Sequence, residues 1–403
     1  MSSNNYQLSG SREISINPLL IEPTLGASSD DRTISIFFDA PYVLASGSSV
    51  RVMLPILPVD ANNQFTIKVK SFADGQSTAY FYSNTQPSGG DHSLARNQLG
   101  YAPVNITASG SAPFLEQSGG RYLVRTPMEF VWVASGIESG TTGDAALIDI
   151  LDDIDMSGYP ITSIDRASFN GTIDGHGNTI KNLFINSLRI SNGNFVCGLF
   201  GRAGSITIRN LKMNGMVLNH SGYANITLKI GSLVALSEPE TNALIFENCN
   251  VDFSEINIGT TTGYIYFGGL AGDVKAINIT DCSVTNQSPF ELNGKYVYFG
   301  GLVGYEGYSV LTSIESSNWT GNAALTSSYS TRSGGLIGSK FGGNLTVKTC
   351  SVNTNQNITS EGGSDYYGSM IGYYNQGSSI VDTTSNHLSF VVNSSPVATH
   401  FGN

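Results

Sequence analysis

The apolar positions of this 403-residue chain follow two regimes. Up to about residue 118, apolar and polar residues alternate in short segments, Glu13–Ile16, Thr33–Phe38, Ser49–Leu54, Phe65–Val69 and Thr78–Tyr82, separated by Pro-, Gly- and Asp-rich turns. Alternation with period two marks half-buried strands, and several such strands at this spacing predict an antiparallel β-sandwich. Ser109-Gly110-Ser111-Ala112-Pro113 and Gln117-Ser118-Gly119-Gly120 form the junction, so residues 1–118 are read as one domain and 119–403 as a second. The second opens with a cap over about 119–160. Thr126 as N-cap, Pro127 at N1 and Glu129 at N3 start a short helix with Gly136 as its stop. A buried strand at Ala145–Ile150 and the acidic run Asp152-Asp153-Ile154-Asp155-Met156 follow. Such a helix shields the open end of a stack of repeats.

Beyond the cap, one signature returns: Gly198-Leu199-Phe200-Gly201, a degenerate Gly231-Ser232-Leu233-Val234-Ala235, Gly269-Leu270-Ala271-Gly272, Gly301-Leu302-Val303-Gly304, Gly335-Leu336-Ile337-Gly338 and Gly368-Ser369-Met370-Ile371-Gly372. From Leu199 to Leu233, Leu270, Leu302, Leu336 and Met370 the steps are 34, 37, 32, 34 and 34. A period held this closely means one structural unit copied and stacked.

A second register runs through Leu183, Leu211, Cys249, Cys282, Ser317, Cys350 and Thr384. Three positions earlier stand Ile180, Ile208, Phe246, Ile279, Ile314, Val347 and Val381. Two positions later stand Ile185, Met213, Val251, Val284, Trp319, Val352 and, as an exception, Asn386. Inward positions at −3, 0 and +2 cannot share one face of a continuous strand, so the chain must turn a corner near −1. There the first copies carry Asn182, Asn210, Asn248 and Asp281, residues that tolerate the left-handed conformation and can bond to one another along a stack. The expected fold is therefore all-β: an N-terminal antiparallel β-sandwich, then a short parallel β-solenoid (β-helix) with a capping helix. Seven coils at about 4.8 Å each would make a rod of about 30–35 Å.

Composition narrows the partners. The formal net charge is −11 with no basic stripe, which excludes nucleic acid. No stretch approaches the roughly 20 apolar residues of a membrane helix. Met1-Ser2-Ser3-Asn4-Asn5 carries neither a basic segment nor an apolar core, so a processed, secreted chain is expected.

Asp153-Ile154-Asp155-Met156-Ser157-Gly158, the segment Phe169-Asn170-Gly171-Thr172-Ile173-Asp174-Gly175-His176-Gly177-Asn178-Thr179-Ile180-Lys181-Asn182-Leu183 and Gly198-Leu199-Phe200-Gly201 resemble GLUG-motif repeat proteins over about residues 120–390. Those are surface and secreted bacterial proteins, among them adhesins and non-catalytic parts of immunoglobulin proteases. Val50-Arg51-Val52-Met53-Leu54-Pro55, Phe65–Ser71 and the Asp74-Gly75 turn look like fimbrillin-type β-sandwich domains of Bacteroidetes. Together the resemblances imply a cell-surface or outer-membrane protein, pilus-associated or held by a lipid anchor since removed.

Candidate chemistry is sparse. Asp174-Gly175-His176-Gly177 is similar to strings in β-helical polysaccharide enzymes, but its glycines suit a tight turn and the structural reading is preferred. Asp152, Asp153 and Asp155 are read as solvated or structural rather than as a calcium site. Cys249, Cys282 and Cys350 share an interior slot with Leu183 and Leu211, so they and Cys197 are expected as free buried thiols; a Cys249–Cys282 bridge is left open. His92, His176, His220, His387 and His400 are scattered, so no catalytic residue, metal or cofactor is assigned.

The surface feature that stands out is aromatic. Six and four residues before the repeat Leu stand Tyr264 and Tyr266, then Tyr296 and Tyr298, and the −4 series continues with Arg332 and Tyr366. Interleaved Ile265, Phe267, Val297 and Phe299 would face inward, leaving the tyrosines as an outward ladder suited to sugar rings or a protein surface. The expected function is a non-enzymatic adhesin or pilus-associated binding protein for a glycan or a host or bacterial surface protein. The alternatives are a β-helical polysaccharide-processing enzyme and a structural spacer.

Overall fold

In a computed structural model of the protein, the chain divides into two compact units, residues 1–114 and 115–403. The described residues of the first unit are the strands Glu13–Ile14, Arg51–Val52, Thr66–Phe72 and Ala79–Thr85. In the second they are 117–402 apart from 158, 160, 187–189, 192, 221–225, 238–242, 308–311, 376–378 and 383–384. Glu13–Ile14 pairs in parallel with Arg51–Val52, and Thr66–Phe72 pairs antiparallel with Ala79–Thr85. The predicted Thr33–Phe38 strand and the sandwich arrangement lie outside the described residues.

The second unit begins with the helix α1 (Pro127–Ser139). The Thr126 hydroxyl accepts from the Glu129 N–H at 3.2 Å while the Glu129 carboxylate accepts from the Thr126 N–H at 3.1 Å, the reciprocal box that the sequence predicts. The helix ends a turn later than expected, at Gly140 with φ +79°. Gly136 does not stop it; a Cβ there would stand 2.7 Å from the Thr142 methyl, so this glycine makes room for the returning chain. Phe130, Trp132, Val133 and Ile137 are buried as α1 packs on the strands Arg121–Val124 and Ile164–Arg166. Among the described residues no helix is long and apolar enough to cross a membrane, which says nothing of β-barrels.

Among the described residues, three sheets of ten, sixteen and seven strands then run along a parallel β-solenoid. Seven stacked strands in the smallest sheet make six full turns, one fewer than the seven coils expected. The core is a set of identical-position stacks, such as Ile173, Ile208, Phe246, Ile279, Ile314 and Val347, all buried on the ten-stranded face. At the corner between the ten- and sixteen-stranded faces, Asn210, Asn248, Asp281, Ser316 and Thr349 have φ of +52°, +51°, +54°, +49° and +55°. Asn248 donates to the Asn210 side chain at 3.0 Å, so the predicted corner and a piece of its ladder are present.

Both ends of the predicted register shift. Asn182 is left-handed, but the chain opposite Asn210 is Gly175–Gly177: Gly175 N–H donates to Arg209 O, and Gly177 N–H to Asn210 O. The first copy's corner is thus His176 (φ +50°), 34 residues before Asn210, and Leu183 belongs to a later bend. In the last copy the left-handed residue is Ser385 and Asn386 occupies the slot, while the expected Thr384 lies outside the described residues. The slot also has a polar task. Cys282 Sγ accepts from Cys249 N–H at 3.4 Å, Ser317 Oγ from Cys282 N–H at 3.0 Å, and Asn386 Oδ1 from Cys350 N–H at 2.8 Å. At a corner a backbone N–H loses its ladder acceptor, and a short polar side chain from the next coil replaces it. All four cysteines are free and buried, and burial pushes the thiols of Cys197 and Cys350 up to about 12 and about 11.

The seven-stranded face encloses an ion pair that the sequence reading passed over. Glu306 and Lys340 are register partners, both 0% exposed, with the ammonium bonded to the carboxylate.

Candidate functional site: an aromatic crease

The Gly-Leu-aliphatic-Gly turn joins the sixteen-stranded face to the seven-stranded one, and it folds inward. A Cβ on Gly304 would lie 2.6 Å from Gly272 O and 2.7 Å from Phe267 C, so backbones of two strands meet there without room for a side chain. The outward side chains on either side of the turn consequently touch. Lys229 Nζ lies 2.6 Å from the Asp273 carboxylate, and the rings of Tyr266 and Tyr305 stack with centroids 4.9 Å apart. The signature makes a concave crease running along the solenoid.

The six residues singled out in the sequence line one wall of it. In the strand Tyr264–Gly268, Ile265 and Phe267 are buried while Tyr264 and Tyr266 face the crease. Register pairs Tyr264 with Tyr296, Tyr266 with Tyr298, Tyr298 with Arg332 and Arg332 with Tyr366. Tyr264 and Tyr296 stack at 4.3 Å, and Tyr296 meets Tyr329, which is 49% exposed. The ladder is not the flat, open platform expected. Tyr298 is only 6% exposed, and burial, opposed by Arg332, pushes its hydroxyl up to about 12. What covers it is Arg332 beside it and Tyr305 from the opposite wall, a wall that continues through Phe341 and Tyr373 and that sequence reasoning missed. Tyr305 and Tyr373 each follow the last glycine of a signature, so the signal was one residue past the motif. Arg332 sits among these rings, 4.6 Å from the Tyr298 centroid and 3.9 Å from that of Tyr373.

A second constellation stands on the ten-stranded face. Asp149 and Asp174 are register partners on adjacent strands. Arg121 bonds Asp149 through two nitrogens, and Arg209 Nε lies 2.7 Å from Asp174. His176 Nε2 is 3.1 Å from Asp149 Oδ1, and its backbone N–H donates to Asp174 at 3.0 Å. The Arg121 hydrogen bonds hold the Asp149 carboxyl below the usual carboxylate range against the opposing effect of burial. For Asp174, burial works upward, but hydrogen bonds from His176, Asn210 and Arg209 outweigh it. Asp149, Asp174 and His176 are near enough together to ligate an ion, but two guanidiniums already balance the carboxylates. The arrangement is a charge-balanced cluster around a half-exposed imidazole. The Asp-Gly-His-Gly glycines do form a tight turn, as expected: a Cβ on Gly175 would lie 2.3 Å from Asn210 O. Asp153 and Asp155 are taken up by Lys181 and by Ser157 and Asn182, in agreement with their structural reading.

The lowered carboxyls set an acid limit. Their folded values lie below the unfolded value of about 3.9, so their contribution is full above about pH 5 and is lost as pH falls through 4 toward the folded values. Melting temperature should drop below pH 4, and Asp149→Asn should lower it at pH 7 while flattening the acid limb. An acid limb unchanged in that variant would show that the cluster does not set it.

No family model matches the chain, and no curated protein matches it. A solved structure from Bacteroides ovatus, described as a "putative immunoglobulin A1 protease", is similar with a TM-score of 0.45 and 17% identity, over 69% of this chain and 79% of that one. With no matching family model, the GLUG-type and fimbrillin-type likenesses stay resemblances. The non-enzyme expectation stands against the protease description of that structure and is withdrawn. His176, read as one of five scattered histidines, lies 3.1 Å from a carboxylate 27 residues before it.

Proposed function

We propose that this β-helical protein is a polysaccharide-processing protein that holds its polymer along the crease. The observation that carries the reading is the crease itself, a concave line of tyrosine rings and hydroxyls with a guanidinium among them. The ring surfaces left open at the mouth of the crease, on Tyr264, Tyr296 and the half-exposed Tyr329, take the C–H faces of sugars, and the hydroxyls and cation take their polar edges. The rise of about 4.8 Å per coil is about the length of one pyranose unit, so successive coils can meet successive sugars. Processing is supported by His176, whose imidazole is bonded to an ionised carboxylate and is placed to take up and return a proton. His176 lies on a different face from the crease, so a polymer seated in the crease reaches it only where it continues past the crease onto that face, and binding and turnover are separable by mutation. The GLUG-type resemblance supports a secreted or cell-surface location, with residues 1–118 as the sandwich domain. An adhesin or pilus-associated protein would use the same crease and leave the polymer intact.

The test is affinity electrophoresis against a panel of neutral and acidic polysaccharides, with reducing ends counted after incubation. Tyr264→Ala/Tyr296→Ala should weaken retention at least tenfold. His176→Ala should keep retention and abolish new reducing ends. Retention indifferent to the tyrosines would remove the crease from the reading. Retention by the unaltered protein without new ends on any polymer would leave attachment alone.

A further inference from the structure

Arg332 differs from four other arginines of the second unit. Arg121, Arg166, Arg202 and Arg209 each bond an aspartate: Asp149, Asp144, Asp165 and Asp174. Among the described residues no carboxylate pairs with Arg332, although the chain carries a net charge of −11. Its guanidinium instead lies 4.6 and 5.7 Å from the rings of Tyr298 and Tyr366, its neighbours in the adjoining coils. From across the crease, Tyr373 and Phe341 approach it at 3.9 and 5.5 Å. Nη1 donates to Ser339 Oγ at 3.1 Å, and Nε is buried with no hydrogen-bond acceptor among the described residues.

A guanidinium has five N–H donors in a planar fork that matches a carboxylate. Here its faces are covered by rings, so the fork's edge is what remains for an anion. The rings lower the local dielectric and strengthen any charge that docks there. A neutral sugar would leave the cation without a counter-ion; a uronate ring supplies both a C–H face for a tyrosine and a carboxylate for the fork.

Resting on the reading that the crease binds polysaccharide, we propose that the polymer is acidic, built from carboxylate-bearing sugars, and that Arg332 is the residue that selects it. The paired experiment uses hyaluronate, alginate and polygalacturonate, each beside its carboxyl-reduced counterpart, with retention measured at low and moderate salt. The intact protein should hold at least one acid polymer tenfold or more tightly than its reduced form, with the preference shrinking as salt rises. Arg332→Gln should abolish that preference, bringing retention of the acid polymer down to that of its reduced form measured on the same variant, and Arg332→Lys should restore part of it. Equal retention of acid and reduced forms by the intact protein would overturn the selection and leave the crease reading standing. Retention of neutral polysaccharides alone would do the same. Failure to retain any polymer would overturn both. Circular dichroism melts of each variant separate lost selection from lost fold.

Discussion

Gly304→Ala should cost about 3 kcal/mol or more, at the upper end of what overpacking causes. The added methyl would meet Gly272 O at 2.6 Å and Phe267 C and N at 2.7 and 2.8 Å. All of these are backbone atoms, and each belongs to a strand bonded to coils on both sides. Relief therefore requires opening ladders and cannot be had by turning a side chain. For a domain of this size the loss corresponds to a fall in melting temperature on the order of 10 °C. The matched control is Gly362→Ala, where a Cβ would meet nothing within 4 Å and φ is not left-handed. That variant should stay within about 0.5 kcal/mol of the parent. If the two alanines melt together, the crease is not held by backbone contact, and the inward fold of the signature loses its physical basis.

That contact explains what the sequence could and could not disclose. A glycine at fixed phase announces close approach, and the period announces stacking, so the coil was legible from Gly198 onward. The direction of the bend was not, since a glycine serves an inward and an outward turn equally well. Hence the tyrosines were read as a flat ladder, while the fold gathers them against Tyr305, Phe341 and Tyr373. The corner was legible because Asn210, Asn248 and Asp281 bear the left-handed conformation in their chemistry. It slipped at Leu183 because Gly175–Gly177 takes the place of Asn210 in the first coil, and alignment by apolar phase skips past a corner made of Gly, His and Gly. The same slip hid the Asp149–His176 contact. Asp149 and Asp174 stand 25 residues apart, well short of the usual period, yet they are stacked neighbours because the first coil is short.

The buried ion pair leaves no trace in the period, and it yields the largest expected single-site effect. Lys340→Met should cost about 3–5 kcal/mol, because it strands the Glu306 carboxylate inside the solenoid. Glu306→Val strands the ammonium instead. Burial already holds Lys340 below its usual range, with Glu306 working against that; without the carboxylate the lysine is held lower still. Between its folded value and its unfolded value of about 10.4, the unfolded chain binds more protons, so this variant's stability should rise with pH over that window. The double variant Glu306→Val/Lys340→Met should recover most of the loss. The position accepts an apolar residue, since Val274 occupies it one coil earlier and is wholly buried. A double-mutant cycle by urea denaturation measures the coupling. Single variants within about 1 kcal/mol of the parent, or a double variant as unstable as the sum of its parts, would show that the two charges are solvated and not paired in the core.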